Sequence, residues 1–216
     1  TKYVLALCLA LAVPVMFLSR EMLTLWMGDD YAKYYIVVQI LTISLFFDFN
    51  NYVATQILIG MNKIKKFVKY YGVVAVLNLG LSIYLVQEGF GLTGVALGTT
   101  IPFVLFEVFF LRHVFNVLGI DWRTYLRDVF AKTFPYAGVV AVLMYVVLLW
   151  HTPVVAPADT LIELIIEFVT KIGPYFVLGC GVYMLLFYLN GLESYEKEDI
   201  KKVIAKIRVR TKLTDR

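Results

Sequence analysis

The stretch IVVQILTISLFFDFNNYVATQILIG, residues 36–60, decides the fold, because its only charged side chain is that of Asp48. A helix needs about 20 predominantly apolar residues to cross the hydrocarbon core of a bilayer. This stretch is long enough and apolar enough to do so, and it therefore predicts a membrane-spanning helix.

Five further stretches share this apolar character. Working outward from residues 36–60, the sequence predicts spans at 3–18, 70–86, 92–111, 133–150 and 172–190. Hydrophobic residues make up 61% of the chain, which is too much apolar surface for a soluble protein of this length. We therefore predict an all-α polytopic membrane bundle of about six transmembrane helices in residues 1–190, followed by a cytoplasmic amphipathic tail in residues 191–216.

The basic residues predict the orientation of the bundle. Of the 20 Lys and Arg residues, 17 lie before the first span, in the second and fourth gaps, or in the tail, and three lie in the remaining gaps. Because cytoplasmic loops carry an excess of Lys and Arg, we expect both termini in the cytoplasm. Basic residues spread along one membrane face indicate anionic lipid headgroups, and not nucleic acid, as their partners.

Asp48 is one of two charged residues inside the predicted spans, and it lies at the middle of the second. On an ideal helix Ser44, Asn51 and Thr55 project within about 60° of it, so the span carries a polar stripe. One interpretation is that Asp48 lines a water-filled cavity and binds a proton, a cation or a substrate hydroxyl. The other is an interhelical hydrogen bond that holds the bundle together. The cavity is favoured, because a neutral Asn or Ser would serve the structural purpose at lower cost.

Glu107 is the second intramembrane acid. It shares a helix face with Thr93 and Thr100 at seven-residue steps, which indicates a second polar face. Alternatively it reaches the cytoplasmic interface or pairs with Arg112, five residues later. Asn78 adds a polar group to the third span.

The sequence offers little for covalent chemistry. Cys8 and Cys180 lie inside predicted spans, where small buried side chains are the simplest interpretation. No metal-ligand spacing, Gly-rich phosphate loop or nucleophile elbow occurs. We therefore predict no enzyme and no bound cofactor. A membrane-embedded enzyme acting on a glycan lipid, or an assembly subunit, stays open as an alternative.

Four motifs in the first half of the chain suggest a family. They read, in order, LWMGDDY at Leu25–Tyr31, QILIGMNK at Gln56–Lys63, NLGL at Asn78–Leu81 and GLTGVALGT at Gly91–Thr99. Their order and spacing resemble the carboxy-terminal half of the lipid-linked oligosaccharide flippases, in the multidrug, oligosaccharidyl-lipid and polysaccharide exporter superfamily. The resemblance covers about residues 3–112 in motif detail and the remainder only in the layout of spans.

The resemblance implies one lobe of a two-lobed transporter of the cell membrane that works by alternating access. Its partners would be a lipid-linked glycan and an amino-terminal lobe of the same protein, which a chain beginning at Thr1 is expected to lack. A proton or a sodium ion is the candidate coupling ion. A cation-coupled multidrug exporter of the same superfamily is the alternative function.

The expected site residues follow from the polar stripes together with the resemblance. The substrate or ion cavity is predicted to be lined by Asp48, Asn51, Thr55, Asn78 and Glu107. Its cytoplasmic mouth is predicted to carry Lys63, Lys65 and Lys66. Such flippases are expected to offer cations to the phosphate groups of the substrate, yet no Lys or Arg lies inside a predicted span. The mouth lysines, or the other lobe, are then expected to supply them.

Overall fold

The computed structural model describes residues 2–158, 160–200 and 202, and in this part of the chain the structure is all-α, without strands. Helices suit an apolar chain because they satisfy every backbone N–H and C=O within the segment. The helices are α1 Lys2–Met27, α2 Asp29–Ala32, α3 Tyr35–Gly60, α4 Lys65–Leu85, α5 Gly91–Leu118, α6 Trp122–Tyr125, α7 Phe134–Trp150, α8 Leu161–Glu167 and α9 Gly173–Leu186. Single π-helical turns occur at Leu126–Phe130, Phe168–Ile172 and Phe187–Gly191, whereas Val86–Phe90 contains a kink at Gly89.

Five helical segments of the described chain are long and apolar enough to cross a membrane. One of them, Phe67–Leu118, contains most of α4 and all of α5, and the chain reverses direction between these two helices. The reversal uses Gly89 at φ 90° and Gly91 at φ 54°, a backbone region that glycine adopts without a steric penalty. The five segments therefore form six apolar rods, in agreement with the predicted number of spans.

The first rod differs from its prediction. The first span was expected to end at residue 18, but α1 continues to Met27 and ends before Gly28, whose φ is 93°. Arg20 and Glu21 therefore lie within an apolar helix of membrane-crossing length, and not in a gap between spans.

The rods pack into two clusters that meet at α1 and α3. One hydrophobic core joins α1, α7 and α9, and it includes Leu5, Val140 and Tyr183, all fully buried. The other joins α3, α4 and α5 around Leu58 and Phe110. Because α1 contacts α3, α7 and α9, it is the central rod of the molecule.

Both ends of the described chain lie on the same side of the bundle. Lys2 Nζ, at the start of α1, is 2.6 Å from Glu196 Oε2, and Lys132 Nζ is 2.7 Å from Glu193 Oε1. Residues 194–200 form a further helix after the last rod. The predicted amphipathic tail also includes Val203, Ile204 and Ile207, which lie outside the described residues.

Candidate functional site

Helices α3 and α5 run parallel and are joined by a ladder of polar side chains. Ser44 Oγ donates a hydrogen bond to Thr100 Oγ1 at 2.7 Å, and the Asn51 amide nitrogen donates to Glu107 Oε2. Ser44 and Asn51 are seven residues apart, as are Thr100 and Glu107, so both pairs recur after two helical turns. The predicted polar faces of the second and fourth spans therefore face each other.

Asn51 and Glu107 form the most buried part of this ladder. Asn51 is 3% exposed and Glu107 is 1% exposed. The Asn51 amide oxygen is also buried, and no described residue donates a hydrogen bond to it. A carboxyl group in such a position is costly to keep charged.

Glu107 is buried between helices and does not lie at the surface. Arg112, the predicted alternative partner, is exposed nearer the end of α5. Glu107 instead contacts Asn51 across the helix interface. The interpretation of Glu107 as part of a polar helix face is the one that agrees with this geometry.

Asp48 lies outside the hydrogen bonds of the α3–α5 ladder, and its side chain is exposed. Tyr71 of α4 lies close enough to interact electrostatically with Asp48 and Glu107, and it also interacts with Thr55. Tyr52, one turn beyond Asp48 on α3, is 60% exposed. The polar stripe predicted on the second span thus divides: Ser44 and Asn51 face α5, whereas Asp48 belongs to an open surface shared with Thr55 and α4.

Asp48 lies deep along α3. It is twelve residues from Gly60, which at 1.5 Å per residue places it about 18 Å from that end of the helix. The hydrocarbon core is about 30 Å thick, so a helix that crosses a bilayer here would carry Asp48 near the centre. Lipid alone is a poor solvent for an exposed carboxylate at that depth.

Asn78 belongs to a different contact. Its Oδ1 accepts hydrogen bonds from Ser82 Oγ at 3.2 Å and from Thr99 Oγ1 at 3.3 Å. It lies seven residues beyond Tyr71, on the same face of α4 but two turns further along the helix. Asn78 therefore holds α4 against α5, and no contact joins it to Asp48 in the described structure.

The predicted mouth lysines lie at the α3–α4 connection. Lys63 and Lys65 are exposed there, and the side chain of Lys66 lies outside the described part of the structure. The connection follows Gly60, so these lysines are separated from Asp48 by about three turns of helix. Lys63 and Lys65 therefore lie at the end of α3, away from Asp48.

A polar cavity between α1, α3 and α7 was missed by the sequence analysis. It has a volume of about 320 Å³, and its lining includes Arg20, Glu21, Tyr35, Gln39 and Tyr145. Glu21 Oε2 is buried without a hydrogen-bond partner among the described residues. The available signal was the apolar run from Leu23 to Met27, which indicates that α1 continues past the two charges.

The described residues contain no group of three or more His, Cys, Asp or Glu side chains able to hold a metal ion. The structure therefore has an open polar surface around Asp48, a buried pair formed by Asn51 and Glu107, and a cavity that contains Arg20 near the other end of the bundle.

No family model matches the chain, and no curated protein or solved structure matches it.

Proposed function

We propose that this chain is the carboxy-terminal part of a flippase that moves lipid-linked oligosaccharide or polysaccharide precursors across the cell membrane. The observation that carries the proposal is the exposed Asp48 at the middle of an apolar helix of membrane-crossing length. A carboxylate at the bilayer centre costs at least ~2.5 kcal/mol on insertion scales, so this surface requires water or protein against it. A hydrated surface between lobes meets that requirement.

The proposed mechanism involves no covalent chemistry. Asp48 and Thr55 would accept and donate hydrogen bonds to sugar hydroxyls, which replaces the water that the glycan loses on leaving the aqueous phase. The lipid tail would stay in the bilayer while the glycan follows the polar surface. Alternating access would open that surface first to one side of the membrane and then to the other.

The orientation proposed from charge has both termini in the cytoplasm. The common end of the bundle carries Lys2, Lys63, Lys65 and Lys132, and the positive-inside bias assigns this end to the cytoplasm. The lipid-linked glycan would then enter beside the lysines and leave at the end that carries the Arg20 cavity. The partner that covers the Asp48 surface is proposed to be an amino-terminal lobe of the same protein.

A flipping assay tests the proposal. The full-length protein is reconstituted with a fluorescent lipid-linked oligosaccharide, and its transfer between leaflets is timed. We expect Asp48→Asn to slow transfer about tenfold or more, the equivalent of roughly 1.4 kcal/mol. The control Asp30→Asn changes an exposed carboxylate in α2 and should leave the rate unchanged. Full transfer by the Asp48 variant would remove Asp48 from the mechanism.

A second candidate, a cation-coupled exporter of small amphiphiles, is favoured by the buried carboxyl of Glu107. Such a protein would expel dyes and drugs from vesicles in exchange for protons or sodium ions. Transport of a cationic dye without transfer of the glycan lipid would select this function over the flippase.

A further inference from the structure

A cavity lies where the end of α5 meets the start of α6. Its volume is about 440 Å³, and its lining includes Val108, Arg112 and Asn116 of α5 together with Asp121 and Trp122. The three α5 residues follow at four-residue steps, so they share one face of the helix. Val108 is 58% exposed and Trp122 is 44% exposed, so the cavity opens on the outside of the bundle.

The depth of this cavity matches the boundary between hydrocarbon and headgroups. Helix α5 has 28 residues and is about 42 Å long, which exceeds a core about 30 Å thick by about 12 Å. A centred α5 would therefore extend about 6 Å beyond the core at each end. Arg112 is six residues, or about 9 Å, from the end at Leu118, so it lies about 3 Å inside the boundary and Asn116 about 3 Å outside it. Val108 is then level with the acyl chains, and Trp122 is a side chain typical of this interface.

The polar groups of the cavity carry both signs of charge. Arg112 is exposed, and the ion pairs in the described part of the chain do not include it. Its planar guanidinium presents N–H donors in a geometry that fits a phosphate group. Asp121 is also exposed, and its Oδ2 accepts a hydrogen bond from the backbone N–H of Arg123 at 3.1 Å. A carboxylate can accept several hydrogen bonds, and the exposed amide of Asn116 adds another acceptor oxygen.

We propose that this cavity binds a phospholipid whose headgroup carries both a phosphate and a primary amine, as in phosphatidylethanolamine. The phosphate accepts hydrogen bonds from Arg112, and the ammonium group donates hydrogen bonds to Asp121 and Asn116. One acyl chain follows Val108 toward the bilayer centre. A choline headgroup has no N–H donor for the two acceptors, and a glycerol headgroup brings no positive charge to Asp121.

Native mass spectrometry of the full-length protein in detergent measures this binding directly. Phosphatidylethanolamine, phosphatidylcholine and phosphatidylglycerol with identical acyl chains are titrated separately, and each affinity is obtained from the lipid-bound fraction. We expect the wild type to bind phosphatidylethanolamine about tenfold more tightly than either of the other lipids. Equal affinities, or a preference for phosphatidylglycerol or phosphatidylcholine, would overturn the proposal.

Two substitutions assign the binding to this cavity. Arg112→Gln removes the partner of the phosphate and should weaken the binding of phosphatidylethanolamine about tenfold or more. Asp121→Asn removes the charge but keeps a residue that caps α6 well, and it should abolish the preference over phosphatidylcholine. The controls Arg127→Gln and Asp199→Asn change exposed charges outside the cavity and should bind as the wild type does. Wild-type binding by both Arg112→Gln and Asp121→Asn would place the lipid elsewhere.

Thermal unfolding separates a lost lipid site from a damaged fold. A ligand raises the melting temperature of the folded state that binds it. Added phosphatidylethanolamine should therefore raise the melting temperature of the wild type more than that of Arg112→Gln. The comparison uses the rise on addition of lipid, so a different starting temperature in the variant does not affect it. An equal rise in the two proteins would contradict the site.

The lipid site is independent of the proposed function. Both measurements are made without the glycan lipid, so a protein that binds phosphatidylethanolamine but transfers no glycan would contradict the flippase alone. Normal glycan transfer by a protein without this lipid preference would contradict the lipid site alone.

Discussion

At the scale of single residues, Gly98 permits the closest approach of α5 to α4. A Cβ atom at this position would lie 2.6 Å from the backbone nitrogen and Cα of Ser82, distances that real side chains essentially never show. A Cβ atom at Gly94, one turn earlier, would lie 3.0 Å from the backbone carbonyl carbon of Leu85, which is tighter than most real contacts. The small-residue pair is therefore a packing device between two helices.

Substitution of Gly98 should consequently weaken the hairpin of α4 and α5. We expect Gly98→Ala to lower the free energy of unfolding by about 1–3 kcal/mol, because the added methyl group meets backbone atoms. Gly80→Ala is the matched control, since Gly80 is also helical but a Cβ added there would have no atom within 4 Å. Thermal unfolding in detergent measures both; an equal loss in the two variants would contradict the packing argument.

Arg20 offers a second residue-scale prediction, which rests on the proposed function. It contributes the positive charge of the polar cavity beside Gln39 and Tyr145. If this guanidinium binds the phosphate of a glycan lipid, Arg20→Gln should weaken binding about tenfold to a hundredfold. The exposed Arg123, at the opposite end, serves as the control through Arg123→Gln. Equal affinity in the Arg20 variant and the wild type would exclude Arg20 from substrate binding.

The sequence identified many of these residues but not their partners. Periodicity placed Ser44, Asn51 and Asp48 on one side of a helix, and it placed Glu107 on a polar face of another. It did not pair Asn51 with Glu107, because the pairing depends on the relative register of α3 and α5. That register is set by packing and by the hairpin between them, which no local pattern specifies.

At the scale of elements, the helix formed by residues 194–200 is fastened to the start of α1. Glu196 accepts hydrogen bonds from Lys2 Nζ and Tyr3 Oη, both at 2.6 Å, and from the backbone N–H of Glu193 at 2.8 Å. Burial raises the pKa of this carboxyl, but the hydrogen bonds together outweigh it and hold the pKa at about 2. The ionised form of Glu196 is therefore the one that the fold stabilises.

The contacts of Glu196 predict a contribution to the free energy of unfolding that is lost in acid. Because the pKa of Glu196 is lowered from 4.5 to about 2 by folding, its contribution is complete above pH 4.5 and is lost as the pH falls toward 2. Glu196→Gln should lower the melting temperature at pH 7 and show a smaller further loss at pH 3 than the wild type. Glu198→Gln, at an exposed position on the same helix, should behave as the wild type. A wild-type melting temperature that is constant from pH 7 to pH 3 would contradict this.

Element boundaries were predictable where composition changes and less so where it does not. The second span was expected at residues 36–60, and α3 runs from Tyr35 to Gly60. The first span was predicted to end at residue 18, because two adjacent charged residues such as Arg20 and Glu21 usually mark the end of an apolar span. A helix tolerates such charges when a polar cavity receives them, and only the packing of α3 and α7 against α1 creates that cavity.

At the scale of the whole molecule, six rods leave the connections on two opposite sides. Cysteine accessibility tests this arrangement after Cys8 and Cys180 are replaced by Ser. With a membrane-impermeant thiol reagent on intact cells, we expect labelling of Asp30→Cys and Thr152→Cys but not of Lys63→Cys or Arg127→Cys. All four should react after lysis, because all four positions are exposed.

The pattern of labelling tests the orientation of the bundle and the bundle itself separately. Exchange of the two groups would reverse the orientation proposed from charge while it leaves the bundle intact. Disagreement between Lys63 and Arg127 would contradict the bundle itself, because an even number of rods separates these positions.

The overall class of the fold could be predicted because apolar length and charge spacing act locally along the chain. The division into an α1, α7 and α9 cluster and an α3, α4 and α5 cluster could not, since nearly every rod is apolar on all sides. In such helices small residues and polar pairs select the neighbours, and their partners are known only after packing.

The contact between Lys2 and Glu196 has a consequence for anything attached to this chain. Polypeptides joined upstream of residue 2 and downstream of residue 200 would emerge from neighbouring points on one face of the bilayer. Complementary halves of a split fluorescent protein fused at these two positions should reassemble and fluoresce without a long linker.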